Sequence, residues 1–373
     1  MKVVCKAEDL RKALNCCRLG RTPPLPVLRN VMIKAEERTL TIAGTNLEMW
    51  SETRIPADIK EEGVILLPLA LVLRFLSGEK ENVILEKEKT GKQKHCTIKT
   101  PENGHWAQLV IPDIGLLVED FPARPSAPEA DCNMPDDFKH LLGVTREFAA
   151  HEESRPILTG VLFESKGEDG GFELAAADGF RLCIAKIAAR IPQGRFTLPE
   201  QSCLFAYKYL VGPIRLGYDW GAKPESHSAR AVLTDGTHTL ISQTIQGTFP
   251  TYRQLLPTGV PSMVVKCSGL DVQHRLMQCE SQTVRITKHK KGGLWLVMRS
   301  SDDFEDVEFQ GVIQAEITGE GKVAVNHKYL LGVSHFFTDM MMEVRTASSP
   351  IKVVDSDGKL TVLVMPMFVQ WDA

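Results

Sequence analysis

The sequence predicts an α+β fold built from three copies of one domain, each with two helices on one face of an antiparallel sheet. Two observations lead to this fold class. A helical pattern opens each third of the chain, and a second helical pattern follows it after a group of strand-like segments, with a period of about 120 residues. Helices grouped apart from antiparallel strands are typical of α+β domains. A threefold chain of this kind suggests a closed ring rather than an active-site cleft.

The first helix of each third is predicted from apolar side chains that recur about every 3.6 residues, which is the period of an amphipathic helix. Residues 7–19 carry such a stripe through Leu10 and Leu14. Residues 135–149 and 268–279 repeat the pattern at the corresponding places in the second and third thirds. These segments are therefore expected to pack one face against a sheet.

Strands follow each of these helices. Turn residues such as Asn, Asp and Gly separate paired apolar runs, as hairpins and strand bends require. The first strands are predicted at 26–33, 155–163 and 284–287, and the strand, turn and strand segments at 40–55, 172–187 and 294–313. The second helices are predicted at 67–76, 206–216 and 326–337.

Two segments are predicted to separate the three domains. Residues 119–128 are rich in proline, and a second break lies near 248–252. The predicted domains are therefore 1–125, 126–253 and 254–373. A length of 373 residues is enough for two or three domains that each bury a core.

Composition excludes several classes of protein. The net charge of −3 argues against a globally basic nucleic-acid coat, and no apolar run reaches the 18 residues of a membrane span, so we expect a cytoplasmic protein. The nine cysteines show no zinc spacing and are expected to be reduced and mostly buried. Because phosphate-loop and nucleophile-elbow motifs are missing too, the sequence supports no catalysis, cofactor or metal.

Basic residues recur on the predicted helices, whereas few acidic residues there lie beyond the first turns, where the helix dipole favours them. Arg11, Arg146 and Lys208 are examples, one or more from each of the first two thirds. Duplex DNA lying against such helices would be bound through its phosphates, without sequence preference and with strong salt dependence. The alternative is that surface helices carry Lys and Arg in any case.

Six short motifs, in order along the chain, resemble those of one known family. They are residues 25–30, 155–161, 177–182, 247–257, 326–330 and 364–367. Over essentially its full length the chain resembles the bacterial DNA polymerase III beta subunit, the sliding clamp. The resemblance implies a head-to-tail homodimer forming a closed ring of six domains around double-stranded DNA, so that one chain is half of the ring. It also implies a tether that gives a polymerase processivity without chemistry of its own.

The resemblance further implies a peptide-binding cleft between the second and third domains, which receives linear motifs of DNA polymerases, the clamp loader and repair proteins. Leu, Met and Pro would form an adaptable apolar trough, with a few directing polar groups. The family's cleft positions fall on Leu158, Ala177, Gly179, Phe180, Arg181, Leu182, Pro250, Gln254, Leu255, Asn326, Tyr329, Ser348, Pro350, Leu363, Met365, Pro366 and Met367. For Leu158, Leu182 and Met365 the alternative is ordinary core packing. Ala177, Gln254 and Phe368 depart from the family's usual residues.

For DNA, the resemblance implies contacts at Gly20, Arg21 and Lys208, although Arg21 could equally be a solvated loop charge. Trp106 lies where relatives carry an aromatic residue at the dimer interface, and a buried aromatic anchor is what such an interface needs. The basic segment 92–99 and the acidic segment 302–306 could face each other across that interface. Two rival readings stay open: a three-domain scaffold that binds peptides without encircling DNA, and an undetected enzyme.

Overall fold

A computed structural model describes residues 1–20, 25–78, 80–87, 95–102, 105–112, 117–152, 154–167, 171–220, 229–300 and 308–371. The chain forms two compact units. The first, called unit 1, contains Met1–Lys139 and Gln201–Thr244, and the second, unit 2, contains His140–Glu200 and Ile245–Ala373. Among the described residues, no helix has both the length and the apolar character needed to cross a membrane.

Six helices occur in the described ranges. They are α1 (Ala7–Cys16), α2 (Leu69–Phe75), α3 (Phe138–Thr145), α4 (Glu200–Tyr209), α5 (Gly269–Leu276) and α6 (His327–Ser334).

The strands are short, and all of their pairings are antiparallel. They are β1 (Lys2–Lys6), β2 (Asn30–Glu36), β3 (Thr39–Thr45), β4 (Met49–Pro56), β5 (Asp58–Glu61), β6 (Gly63–Pro68), β7 (Asn82–Lys87), β8 (His95–Glu102), β9 (His105–Pro112), β10 (Cys132–Asn133), β11 (Gly160–Ser165), β12 (Phe172–Ala177), β13 (Arg181–Ile187), β14 (Gly194–Pro199), β15 (Arg215–Tyr218), β16 (Arg230–Thr234), β17 (His238–Gln243), β18 (Met263–Ser268), β19 (Ser281–Lys288), β20 (Leu294–Ser300), β21 (Glu308–Ile313), β22 (Glu316–Gly319), β23 (Lys322–Asn326), β24 (Asp339–Val344), β25 (Ile351–Asp355) and β26 (Leu360–Val364).

Unit 1 contains two sheets. The smaller has the order β5-β1-β7-β8-β9, and the larger has the order β10-β15-β16-β17-β4-β3-β2-β6. Helix α1 packs its apolar stripe, including Leu10 and Leu14, into the core under these sheets. At Gly44 on β3, any added Cβ would lie 2.7 Å from the Cβ of Cys17, so the close approach of the chain after α1 requires glycine there.

Unit 2 also contains two sheets, with the orders β14-β11-β12-β13-β26-β25-β24-β18-β22 and β21-β20-β19-β23. In the larger sheet, β13 and β26 pair with Leu182 opposite Leu363. This pairing joins strands from the predicted second and third domains into one continuous sheet, as β4 and β17 join the first and second in unit 1. The compact units therefore divide the chain differently from the three predicted domains, which stay a prediction.

The fold class predicted from the sequence is confirmed, and all six helices occur near their predicted places. Three details were wrong. Residues Pro26–Arg29 form a 3-10 turn rather than the start of a strand, and the side-chain amide of Asn30 donates to the carbonyl of Pro26 at 3.0 Å. Residues Pro156–Leu158 likewise form a 3-10 turn inside the predicted strand 155–163, and β11 begins only at Gly160. Helix α4 spans Glu200–Tyr209 rather than 206–216. It ends early because the chain turns at Gly212, which has a φ of +91°. All nine cysteines are free, and eight of them are buried.

Candidate functional site

The predicted cleft residues all belong to unit 2. Leu158, Leu182 and Leu363 pack in one apolar cluster with Phe249 and Tyr252. Their exposures are 6%, 3% and 3%, respectively, so they are core side chains that support a surface rather than form it. Leu158 and Leu182 therefore pack as ordinary core residues, which was the alternative to lining the cleft directly.

A tight turn between β12 and β13 presents Phe180. The carboxylate Oδ1 of Asp178 accepts hydrogen bonds from the backbone N–H groups of Phe180 at 2.9 Å and Arg181 at 2.7 Å. Gly179 has a φ of +93°, a conformation that favours glycine. The half-buried Ala177 ends the strand before the turn. Phe180, 58% exposed, is held at this position by the turn.

Arg181 connects this turn to helix α6. Its Nε donates to Oδ2 of Asp178 at 2.8 Å, and its guanidinium carbon lies 5.1 Å from the ring centroid of Phe148 and 4.8 Å from that of Tyr329. The rings of Tyr329 and Phe180 stack with centroids 5.9 Å apart. Burial raises the pKa of the Tyr329 hydroxyl. Arg181 is therefore fixed by an ion pair and two ring contacts.

Asn326 places Tyr329 by capping α6. Its side-chain oxygen accepts the backbone N–H of Tyr329 at 3.2 Å, which satisfies one of the free donors at the start of the helix. The polar group expected to direct a peptide therefore already has a structural partner.

The segment after β26 supplies the second wall. The backbone N–H of Met365, which is 40% exposed, donates to the carbonyl of Phe180 at 2.9 Å. Pro366 forms a bridge with Val325, and the N–H of Met367 donates to the carbonyl of Ala324 at 2.7 Å. Backbone pairing thus brings the two walls, Phe180 and residues 365–367, side by side.

The connector from 247 to 257 forms a third side. Pro250, Gln254 and Leu255 are exposed, and Leu255 is 53% accessible. This exposure is possible because the neighbouring Tyr252 and Arg253 hold the connector to the sheet.

That attachment uses a pair of glutamates. Glu164 on β11 and Glu173 on β12 lie directly opposite each other. The Tyr252 hydroxyl lies 3.1 Å from a carboxylate oxygen of each, and Arg253 donates to Glu164 at 2.6 Å and to Glu173. Burial, together with the two carboxylates, raises the pKa of Tyr252. Sequence reasoning missed this cluster, although Arg253 lies within the motif 247–257.

Ser348 and Pro350 lie at the end of the same sheet. Pro350 precedes β25, whose first residue Ile351 pairs with Val364, the last residue of β26. Ser348 is exposed, and its hydroxyl lies 3.3 Å from that of Thr346. Register therefore puts Pro350 next to the start of the segment that carries Met365.

The predicted DNA-contact residues belong to unit 1. Gly20 has a φ of +91°, and a Cβ there would lie 3.2 Å from the side-chain oxygen of Gln201 at the start of α4. Lys208 is exposed near the end of the same helix, about 10 Å along its axis from Gln201. Arg21 lies outside the described residues. Gly20 and α4 are thus neighbours, as a shared DNA-facing surface would need.

Trp106 lies on β9, the terminal strand of the smaller sheet in unit 1. Its side chain is 62% exposed, and Val110, on the same face of the strand, is 49% exposed. The basic segment 92–99 and the acidic segment 302–306 were expected to face each other across the interface; of these, residues 92–94 and 302–306 lie outside the described residues. Within the described ranges, no three His, Cys, Asp or Glu residues group closely enough to hold a metal ion.

Comparisons with known proteins identify the same family. Residues 1–91 match the sequence model of the DNA polymerase III beta subunit, N-terminal domain, and residues 134–251 match that of the central domain. The beta sliding clamp of Synechocystis is 27% identical, with 98% of this chain and 99% of that protein covered. The beta sliding clamp of Escherichia coli K12 is 25% identical, with coverages of 98% and 100%.

Solved structures show the same fold. The beta subunit of DNA polymerase from Streptococcus pyogenes superposes with a TM-score of 0.84 at 15% identity, covering 99% of this chain and all of that one. The DNA polymerase sliding clamp of Bacillus subtilis gives a TM-score of 0.84 at 17% identity, with the same coverages.

Proposed function

Because the chain belongs to the DNA polymerase III beta subunit family, we propose that it is a DNA sliding clamp, a non-catalytic protein that tethers a DNA polymerase to duplex DNA. The observation that carries this proposal is the match to relatives named beta sliding clamp over nearly the full length of both chains. Three clamp domains, 1–125, 126–253 and 254–373, would form half of a ring, and the protein would act in the cytoplasm.

The edges of the sheets support closure into a head-to-tail dimer. Strand β9 is the terminal strand of its sheet in unit 1, and β21 is the terminal strand of the four-stranded sheet in unit 2. A terminal strand offers backbone donors and acceptors to a further strand. If β9 of each copy pairs with β21 of the other copy, two identical head-to-tail contacts close the dimer into a ring. Trp106 would anchor that contact.

The surface of unit 2 supports a peptide-binding site. Phe180, Leu255 and Met365 expose apolar side chains around the turn, the connector and the tail, above a core of leucines. Exposed apolar side chains grouped over a rigid base suit an extended partner segment with two or three apolar residues. Polymerases, the clamp loader and repair proteins would be bound here.

Retention on circular DNA tests the ring. Protein loaded onto nicked circular DNA by a bacterial clamp loader and ATP should stay bound through gel filtration in high salt, and should be released when the circle is cut. The variant Trp106→Ala should weaken the dimer and shorten retention, whereas Val260→Ala, at another exposed apolar residue, should not. A wild-type protein that is monomeric, or that leaves intact circles as quickly as linear DNA, would support the peptide-binding scaffold instead.

A further inference from the structure

The hairpin between β19 and β20 carries an exposed group of cations. Lys288, Lys290 and Lys291 are exposed, and no carboxylate of the described residues lies within 4 Å of their ammonium groups. The tip is ordered by backbone bonds: the N–H of His289 donates to the carbonyl of Gly293 at 2.9 Å. The positive charges are therefore presented from a fixed hairpin.

Two further cations continue this charge toward the candidate peptide site. In the four-stranded sheet, Thr287 lies opposite Lys322, and Arg285 lies opposite Ala324. We call these five residues, Arg285, Lys288, Lys290, Lys291 and Lys322, the basic patch. The described acidic residue nearest to it in sequence is Glu320, two positions before Lys322.

The tail of the chain leads from the peptide site to the basic patch. Met365, Pro366 and Met367 form the proposed wall of the site, and the carbonyl of Gln370 then accepts a hydrogen bond from Arg285 at 2.9 Å. The next residue is Trp371, whose ring centroid lies 5.1 Å from the ammonium of Lys322 and 5.8 Å from the guanidinium of Arg285.

Strand register gives the distance between the two surfaces. Asn326, a proposed cleft residue, and Lys322 are the two ends of β23 and lie on the same face of the sheet. The four residue steps from Asn326 to Lys322 span about 13 Å. Thr287 lies opposite Lys322, and the hairpin tip begins at the next residue, Lys288. An extended peptide leaving the site therefore needs four to six residues to reach all five cations.

We propose that the basic patch binds acidic residues that flank the apolar motif of a partner peptide. The proposal rests on the peptide-binding role proposed above and adds a charge requirement for the partner. Single-stranded nucleic acid is bound by cations together with aromatic rings on which bases stack. Here Arg285 and Lys322 already lie over the ring of Trp371, and His289 packs against Trp295 with centroids 6.0 Å apart. Carboxylates need only positive charges to bind, whereas bases also need free aromatic rings on which to stack, so carboxylates fit this surface better.

Fluorescence anisotropy with synthetic peptides tests the proposal. The probe is a labelled peptide with a Leu-Leu-Phe core, used alone or extended at either end by four Glu, four Gln or four Lys. At 0.1 M salt, one Glu-extended peptide should bind roughly fivefold tighter than its Gln counterpart, since exposed ion pairs each contribute little. At 1 M salt the advantage should fall below about twofold, because the screening length shortens from about 10 Å to about 3 Å.

A charge-removing variant locates the effect. The change of three exposed hairpin lysines to Gln should abolish the advantage of the Glu extension and leave the affinity of the core peptide unchanged. A matched control removes three exposed lysines of the nine-stranded sheet region and should keep the advantage. The variants are Lys288→Gln with Lys290→Gln and Lys291→Gln, and the control is Lys166→Gln with Lys186→Gln and Lys266→Gln.

The outcomes separate the two proposals. If the core peptide binds but the Glu and Gln extensions bind alike, the basic patch does not bind acidic flanks. If no peptide binds, the peptide site itself is refuted and this inference with it. If the hairpin variant instead weakens binding of a thymidine oligonucleotide and the Glu extension has no effect, the patch is a nucleic-acid surface and the proposal is overturned.

Discussion

The turn between β16 and β17 contains a buried ion pair whose removal should change the pH dependence of stability. Nδ1 of His238 lies 3.1 Å from Oδ2 of Asp235, and the two side chains are only 16% and 2% exposed. The hydrogen bond that His238 donates to Asp235, with a second contribution from the thiol of Cys16, raises the pKa of His238 from 6.5 to about 9. Burial alone would raise the pKa of Asp235, but hydrogen bonds from His238 and nearby backbone N–H groups lower it to about 2.

The sign of the effect follows from the raised pKa of His238. In the unfolded chain His238 loses its proton near pH 6.5, whereas in the folded chain it keeps the proton to about pH 9. Its contribution to the free energy of unfolding is therefore complete below pH 6.5 and declines until it is lost above about pH 9. The lowered pKa of Asp235 reflects the same ion pair at acid pH. The contribution of Asp235 to the free energy of unfolding is complete above pH 3.8 and is lost as the pH falls toward 2.

The magnitude follows from the same values. Each pKa unit corresponds to about 1.4 kcal/mol, so a rise of the His238 pKa from 6.5 to about 9 sets an upper bound of about 3.4 kcal/mol. Partial solvent exposure of the ring reduces the expected contribution to about 2 kcal/mol. The substitution His238→Gln should therefore lower the free energy of unfolding by about 2 kcal/mol at pH 6 and by much less at pH 9.5.

Urea unfolding of both proteins from pH 5.5 to 9.5, under reducing conditions, measures this difference. Groups common to both proteins, including the buried thiols, cancel when the two curves are subtracted. The variant His105→Gln, which changes an exposed histidine in unit 1, should follow the wild type at every pH. A His238→Gln difference that stays constant over the range would show that His238 acts through packing rather than charge.

Two further predictions concern the candidate peptide site. The double variant Met365→Ala with Met367→Ala should weaken binding of the Leu-Leu-Phe peptide roughly tenfold and barely change the free energy of unfolding. Leu182→Ala should instead lower the free energy of unfolding by about 2–4 kcal/mol, because the Leu182 side chain lies in the core. A methionine variant that lost stability as much as binding would contradict this prediction. Arg253→Gln should weaken the same peptide by leaving two facing carboxylates to repel each other and loosen the connector, and adding Glu173→Gln should restore part of the loss. No recovery in that double variant would mean that Arg253 acts through other contacts.

Much of the fold could be predicted from local patterns. The stripe of Leu10 and Leu14 gives α1 its buried face, and the turn at Asp178 and Gly179 occurs where its residues indicate. Helix α4 shows the limit, because its start at Glu200 depends on a tertiary contact: the N–H of Glu200 donates to the carbonyl of Thr159 at 3.1 Å. A sequence window around α4 contains no information about that partner.

The candidate site was predictable only in part, for a similar reason. Apolar residues such as Met365 were identified from their motif, but their exposure depends on the neighbours that hold the backbone. Glu164 and Glu173 are distant in sequence from the connector, and each alone is an ordinary charged residue of a strand. Their role is visible only when antiparallel register puts them opposite each other and next to Arg253.

The internal partners of the polar cleft residues determine how a peptide could be bound. The charge of Arg181 is already paired with Asp178, and the side-chain oxygen of Asn326 already accepts the N–H of Tyr329. A ligand carboxylate at Arg181 and a ligand donor at the Asn326 oxygen would therefore each have to compete with an existing bond. Affinity at the proposed site would therefore come mainly from burying apolar surface of Phe180, Leu255 and Met365, at roughly 25 cal/mol per Å². Apolar burial discriminates weakly between similar side chains. Selection among partners would then depend on charges outside the proposed site, which is the role proposed for the basic patch.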